Sequence, residues 1–173
     1  MRIADCWYAL QVMTGTEREV ARSVSKTANA VLAPEETFFE RRGHRLVEKT
    51  RQLLPGYVLI QLADLTADTY YNLLAEKSVI RLLGKEGTAL PQPIPETEME
   101  TILAICDSED APTMLDAAWT DKGVTITGEL PRGVTITKVD ARQRRVTATL
   151  RLHGEDMTII YGLRVTDTRN QEH

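Results

Sequence analysis

The sequence predicts an α+β fold, an antiparallel sheet with helices on one side in the manner of a ferredoxin-like sandwich, followed by a small five-stranded β-barrel. Three observations carry this expectation. Residues 1–105 alternate strand-like and helix-like apolar periodicity. Residues 107–112, Asp-Ser-Glu-Asp-Ala-Pro, are acidic, small and interrupted by proline. From Trp119 onward helical periodicity gives way to short Thr/Val/Ile-rich runs. The 173 residues suffice for two small cores, so the expected organisation is a first domain over 1–105, a flexible acidic linker over 106–118 and a second domain over 119–173.

Taken in order, Trp7-Tyr8-Ala9-Leu10-Gln11-Val12 reads as a strand that ends at Thr14-Gly15-Thr16. Thr14 and Glu17 have the spacing of a capping box, and Val20, Val24, Thr27 and Val31 recur at helical spacing, which predicts one helix through that stretch. Residues 37–42 and 45–49 flank Gly43-His44 as a hairpin whose many charges suggest that it projects from the sheet. Next, Leu53-Leu54-Pro55-Gly56 joins a backbone device to a strand. Pro55 fixes its own φ and pushes Leu54 toward extended geometry, and Gly56 permits a positive φ. The strand over 57–62 places Val58, Ile60 and Leu62 on one face and Tyr57, Leu59 and Gln61 on the other, as befits a central strand. Thr66 caps a second helix in which Tyr70, Leu73 and Leu74 share a face, residues 79–83 form another strand, and 84–93 form a turn-rich loop. Pro95 stands at the first turn of a third helix with Met99, Ile102, Leu103 and Cys106 as its apolar stripe. The barrel strands are read at 124–127, 134–137, 146–152 and 157–161.

Charged residues at 27% and aromatics at 5% fit a globular protein. No apolar run approaches the ~20 residues that cross a bilayer, and residues 1–15 lack the pattern of a signal peptide, so a cytoplasmic location without a membrane partner is expected. Cys6 and Cys106 form no metal-type pair, and His44, His153 and His173 are scattered, which predicts no metal and no cofactor. No nucleophile, base and orienting group stand in a recognisable arrangement and no glycine-rich phosphate cradle occurs, so the expectation is a binding protein and no enzyme. The net charge of -4 divides along the chain into -2 for residues 1–105, -4 for 106–118 and +2 for 119–173.

Read together, the two halves resemble the NusG family of transcription factors, an amino-terminal NGN domain and a carboxy-terminal SH3-like KOW barrel. The resemblance rests on Trp7-Tyr8, on Leu54-Pro55-Gly56-Tyr57-Val58, where the family has Phe-Pro-Gly-Tyr-Val, and on Val79-Ile80-Arg81-Leu82-Leu83-Gly84 followed by Pro93-Ile94. In the second half, residues 136–140 and 145–148 are similar to the segment that closes a KOW motif. The KOW loop departs from the family pattern, since Gly128-Glu129-Leu130-Pro131-Arg132-Gly133 is short of one glycine. The segment at 81–84 and the compact length are most similar to the specialised LoaP antiterminators.

The resemblance implies a monomeric elongation or antitermination factor. Its NGN domain would hold the clamp helices of RNA polymerase in an apolar depression, formed by Tyr8, Leu54, Pro55, Gly56, Tyr57, Leu74 and Val79. Taken alone, Tyr8 and Leu54 suit an ordinary core equally well. It also implies that the barrel binds a structured leader RNA through Lys138, Arg142, Arg144, Arg145 and Arg151, residues whose plain alternative is a solvated charged turn. A housekeeping NusG-type factor and a ribosome-associated KOW module without polymerase contact are the rival readings. In RfaH, another specialised relative, the carboxy-terminal domain also folds as a helical hairpin over the polymerase site. Here β-branched residues and glycines at 123, 128, 133 and 154 predict a constitutive barrel and an open site.

Overall fold

A computed structural model describes residues 5–84, 90–106 and 114–166. In chain order the elements are β1 (Cys6–Val12), α1 (Glu17–Val24), β2 (Ala30–Leu32), β3 (Glu35–Arg42), β4 (Arg45–Gln52), β5 (Tyr57–Leu62), α2 (Ala67–Ala75), β6 (Val79–Leu82), α3 (Glu96–Cys106), β7 (Leu115–Thr120), β8 (Gly123–Ile126), β9 (Thr135–Asp140), β10 (Arg145–Leu152) and β11 (Glu155–Thr166). They fall into two compact units, one of Met1–Pro34, Gln52–Met99 and Leu152–Glu155, the other of Glu35–Arg51, Glu100–Arg151 and Asp156–His173.

The first unit is built on a four-stranded sheet in the order β2-β5-β1-β6. β5 pairs antiparallel with both β1 (Tyr8 opposite Ile60) and β2 (Val31 opposite Ile60). One face of this sheet contributes Tyr8, Leu10, Val12, Val58, Ile60 and Leu62 to a core that Val20 and Val24 of α1 and Leu73 of α2 complete. The other face is also apolar, with Ala9 and Leu59 fully buried. Burial on both faces makes β5 the central strand that its sequence predicts.

The first helix is shorter than its periodicity suggests. It stops at Val24, whose carbonyl accepts from Thr27 and Ala28, and Val31 lies in β2. The 3.6-residue spacing continued past the helix end because Val20, Val24 and Val31 all face the same core, two from a helix and one from an edge strand. The cap differs as well. Thr16 occupies the N-cap position without a side-chain cap bond, and Glu17 turns its carboxylate to the Gly15 amide, so no Thr14–Glu17 capping box forms. Thr66, by contrast, caps α2 as expected, accepting from the Thr69 amide at 3.1 Å. On α3 the fully covered positions are Met99, Ile102 and Ile105, while Leu103 and Cys106 are half-buried.

The second unit holds the β3–β4 hairpin as its own two-stranded sheet and a five-stranded sheet in the order β8-β7-β11-β10-β9. Along β10, Val146, Ala148, Leu150 and Leu152 are buried in strict alternation. The fifth strand, β7, begins inside the stretch read as linker. Leu115, Ala117 and Ala118 are buried and β7 runs parallel to β11, with Leu115 opposite Leu163. Two alanines and an aspartate have low strand propensity, so only tertiary pairing identifies this strand. The acidic core of the linker, 107–113, lies outside the described residues. Every described element between Leu115 and Thr166 is a strand.

Candidate functional site

The Pro55–Gly56 turn is fastened to the end of β1. Gly56 adopts φ +85, its carbonyl accepts from Val12 at 2.8 Å, and its buried amide donates to the Glu17 carboxylate at 2.8 Å. The same carboxylate accepts from Gly15 at 3.0 Å, so one acidic side chain ties the loop before α1 to the turn before β5. A Cβ at Gly56 would stand 3.4 Å from the Thr14 hydroxyl and 3.6 Å from the Val12 carbonyl, in a φ region that side chains resist. On the other side of β1, Met13 donates to the Ser78 carbonyl at 2.9 Å and Val12 pairs with Val79.

This geometry gathers Pro55, Gly56, Tyr57 and Val79 at one end of the sheet. Pro55 is exposed and Tyr57 and Val79 are half-buried. The remaining predicted residues stand apart from that end or beneath it. Leu54 is 1% exposed, and Tyr8, at 9%, faces the helices within the core, where burial raises its phenol pKa. Leu74 is half-buried on α2. Sequence reading missed several exposed apolar side chains of this unit, among them Met13 at 58%, Ile80 at 53% and Tyr71 at 66%. Met13 follows β1 immediately, and Ile80 lies on the edge strand β6, so both adjoin the turn through the pairings just described.

In the second unit the cationic residues divide by role. Arg145 is committed to the fold: its Nε donates to the Phe39 carbonyl at 3.0 Å and its guanidinium lies 4.8 Å above the Phe38 ring. Arg51 lies 5.8 Å from the same ring and bonds the Glu36 carboxylate, which also accepts from the Ile160 amide at 2.9 Å. Glu36 is 1% exposed, and burial pushes its carboxyl up to about 7 against the opposing pull of Arg51. Arg151, on the solvent side of β10, stands 3.7 Å from Asp156. Lys138 and Arg142 are exposed, and Arg144 is half-buried in a left-handed conformation at φ +55. The Asp140 carboxylate, accepting from the Gln143 amide at 3.0 Å, shapes this turn. Among the described residues no group of His, Cys, Asp or Glu is arranged to hold a metal ion, and no helix is long and apolar enough to cross a membrane.

With the fold and both surfaces in view, the comparisons with known proteins decide the family. The family model described as "Transcription termination factor nusG" matches residues 5–103, more than half of the chain. The chain belongs to the NusG family. The transcription termination/antitermination protein NusG of Pseudomonas aeruginosa is 30% identical over 121 residues, 64% of this chain and 67% of that protein. The Yersinia pestis protein of the same description is 31% identical over 108 residues, 56% of this chain and 58% of its own length. This NusG-family chain thus spans between about half and two thirds of the length of such relatives. A solved structure of Thermotoga maritima NusG shares the fold, with a TM-score of 0.51 at 16% identity over 94% of this chain and 96% of that one.

Proposed function

We propose that this protein is a transcription elongation and antitermination factor that docks on RNA polymerase through the first unit and binds nucleic acid through the second. The supporting observation is the built sheet end. Glu17 and Val12 hold the Pro55–Gly56 turn beside Met13 and Val79, leaving an apolar rim of Met13, Pro55 and Tyr57 around a rigid backbone, with Ile80 exposed on the edge strand beyond β1. Such a rim suits burial of a helix tip, with the Tyr57 hydroxyl at the wet edge. The partner surface we assign is the clamp-helix tip of the polymerase's largest subunit. The segment Arg81-Leu82-Leu83-Gly84 favours the LoaP-type specialisation, in which structured RNA is the nucleic-acid ligand.

Capture of purified polymerase on the full-length protein tests this. Met13→Glu and Tyr57→Ala each weaken capture while circular dichroism stays unchanged, because both side chains reach solvent. Leu54→Glu is unsuitable as a surface probe, since a charge at a position 1% exposed strikes the core. Wild-type capture by folded Met13→Glu and Tyr57→Ala refutes the docking surface. In a pull-down with the full-length protein from a cell lysate, recovery of ribosomal components without polymerase refutes the polymerase reading altogether.

A further inference from the structure

The β3–β4 hairpin and the β9–β10 turn both carry cations, and the second unit joins them. Arg41 donates from Nη2 to the Arg142 carbonyl at 3.3 Å, and Arg145, next to that turn, donates to the Phe39 carbonyl at 3.0 Å. Two segments far apart in sequence, each carrying cations, are therefore held side by side. Residues 37–49 and 138–144 hold seven Lys/Arg against three Asp/Glu, a local balance opposite to the chain's net -4. Of the three acids, Glu40 is shared between Lys49 at 2.5 Å and Arg42 at 3.4 Å, and Asp140 is turned to the Gln143 amide. Arg41, Arg42, His44, Arg45, Lys138 and Arg142 are all exposed.

We propose that the hairpin residues Arg41, Arg42 and Arg45 and the turn residues Lys138 and Arg142 form one composite site for the phosphate backbone of a double-stranded nucleic acid. The reading rests on the nucleic-acid arm of the proposed function and extends it to a hairpin that the barrel alone does not supply. A duplex is favoured over a single strand because single-strand sites stack bases on aromatic rings. The phenyl rings here, Phe38 and Phe39, are half-buried, Phe38 has guanidinium groups of Arg51 and Arg145 near it, and the exposed His44 imidazole is a single ring where a single-strand site stacks successive bases. The apolar side chains that do reach solvent beside the cations, Leu46 at 39% and Val139 at 40%, offer no π-face. What remains is a spread of guanidinium and ammonium donors, the chemistry of backbone neutralisation.

The test uses the full chain with RNA and DNA duplexes of about 20 base pairs and the matching single strands, by fluorescence anisotropy across a salt series. Wild type is expected to bind both duplexes more tightly than either single strand. Arg41→Gln/Arg42→Gln/Arg45→Gln is expected to lower the slope of log affinity against log salt by about 2 to 3, since each lost phosphate contact removes about 0.9. Because Arg41 also touches the turn, Arg42→Gln/Arg45→Gln is measured beside it, with an expected drop of about 2. Polymerase capture stays at the wild-type level in both. A wild-type slope in both hairpin variants, with a reduced slope in Lys138→Gln/Arg142→Gln, overturns the composite site and leaves the barrel-only reading standing. Binding of single strands as tightly as duplexes also overturns it, and no nucleic-acid binding by wild type removes both readings together.

Discussion

Glu36 makes stability depend on pH in a direction opposite to that of most acidic side chains. Its carboxyl is 1% exposed, accepts from the Ile160 amide, bonds Arg51, and titrates at about 7 because desolvation outweighs both partners. An unfolded glutamate titrates near its ordinary 4.5. Between these values the folded protein holds a proton that the unfolded chain has released, so unfolding loses it and stability falls as pH rises. The contribution is fully present below the unfolded value and is lost as pH passes through about 7. A shift of this size corresponds to about 3 kcal/mol, at about 1.4 kcal/mol per pH unit. Glu36→Gln keeps an acceptor for Ile160 and Arg51 but cannot ionise. Urea denaturation of both proteins from about pH 4.5 to 8 is the assay, with the difference between them as the readout. His153, whose pKa burial lowers, contributes with the opposite sign but equally in both proteins, and it cancels. The wild type should lose about 3 kcal/mol relative to Glu36→Gln across that window. A difference that stays constant, or a wild type that gains stability relative to the variant, refutes the reasoning.

Glu17→Ala removes the acceptor from the buried Gly56 amide and from Gly15, and should cost about 2 to 3 kcal/mol in urea unfolding while also weakening polymerase capture; Glu17→Gln, with one carbonyl left for Gly56, should recover part of both. Tyr161→Phe should leave stability unchanged or raise it by about 1 kcal/mol, because the Tyr161 hydroxyl is buried without a hydrogen-bond partner among the described residues; a Tm that falls by several degrees would show that the hydroxyl is satisfied. Arg144→Gly removes a cation from a left-handed position that glycine accepts, so stability should stay within about 1 kcal/mol of wild type while nucleic-acid affinity drops; unchanged affinity would exclude Arg144 from the interface.

Local chemistry made much of the fold legible. The Pro-Gly turn, the two-faced β5, the Thr66 cap and the alternation of β10 each carry their reason within a few residues of sequence. What escaped was decided by tertiary partners. Val31 satisfied a helical period from an edge strand because both elements face one core, and Leu115 to Ala118 became a strand only through pairing with β11. The residues of the candidate site follow the same rule. Gly56, Tyr57 and Val79 were placed by the turn and strand registers that the sequence encodes, whereas burial of Leu54 and the inward aim of Tyr8 depend on what covers the sheet. Glu17 was visible as a helix-start residue, but its bond to Gly56, 39 positions away, was not. Arg145 likewise read as one more cation in a basic turn until Phe38 and Phe39 appeared beside it.

That last assignment separates charge from shape within the basic surface. The second unit joins a strongly polar hairpin to its five-stranded sheet, and a polar hairpin offers little area for hydrophobic burial. Its attachment instead includes the Glu36 carboxyl at Ile160 and the Arg145 guanidinium across Phe38 and the Phe39 carbonyl. Arg145 is planar and donates from Nε while stacking, a combination that an ammonium cannot reproduce. Arg145→Lys therefore keeps net charge yet should loosen the hairpin, costing about 1 to 2 kcal/mol in stability and lowering duplex affinity through displaced Arg41, Arg42 and Arg45. Arg142→Lys, by contrast, leaves in place the Arg142 backbone carbonyl that Arg41 binds, and should change affinity little. Measured side by side at one salt concentration, the two charge-conserving variants ask whether the surface works by number of cations or by their arrangement. Equal affinities in both would mean that only the count matters, and Arg145 would then return to the set of direct phosphate contacts.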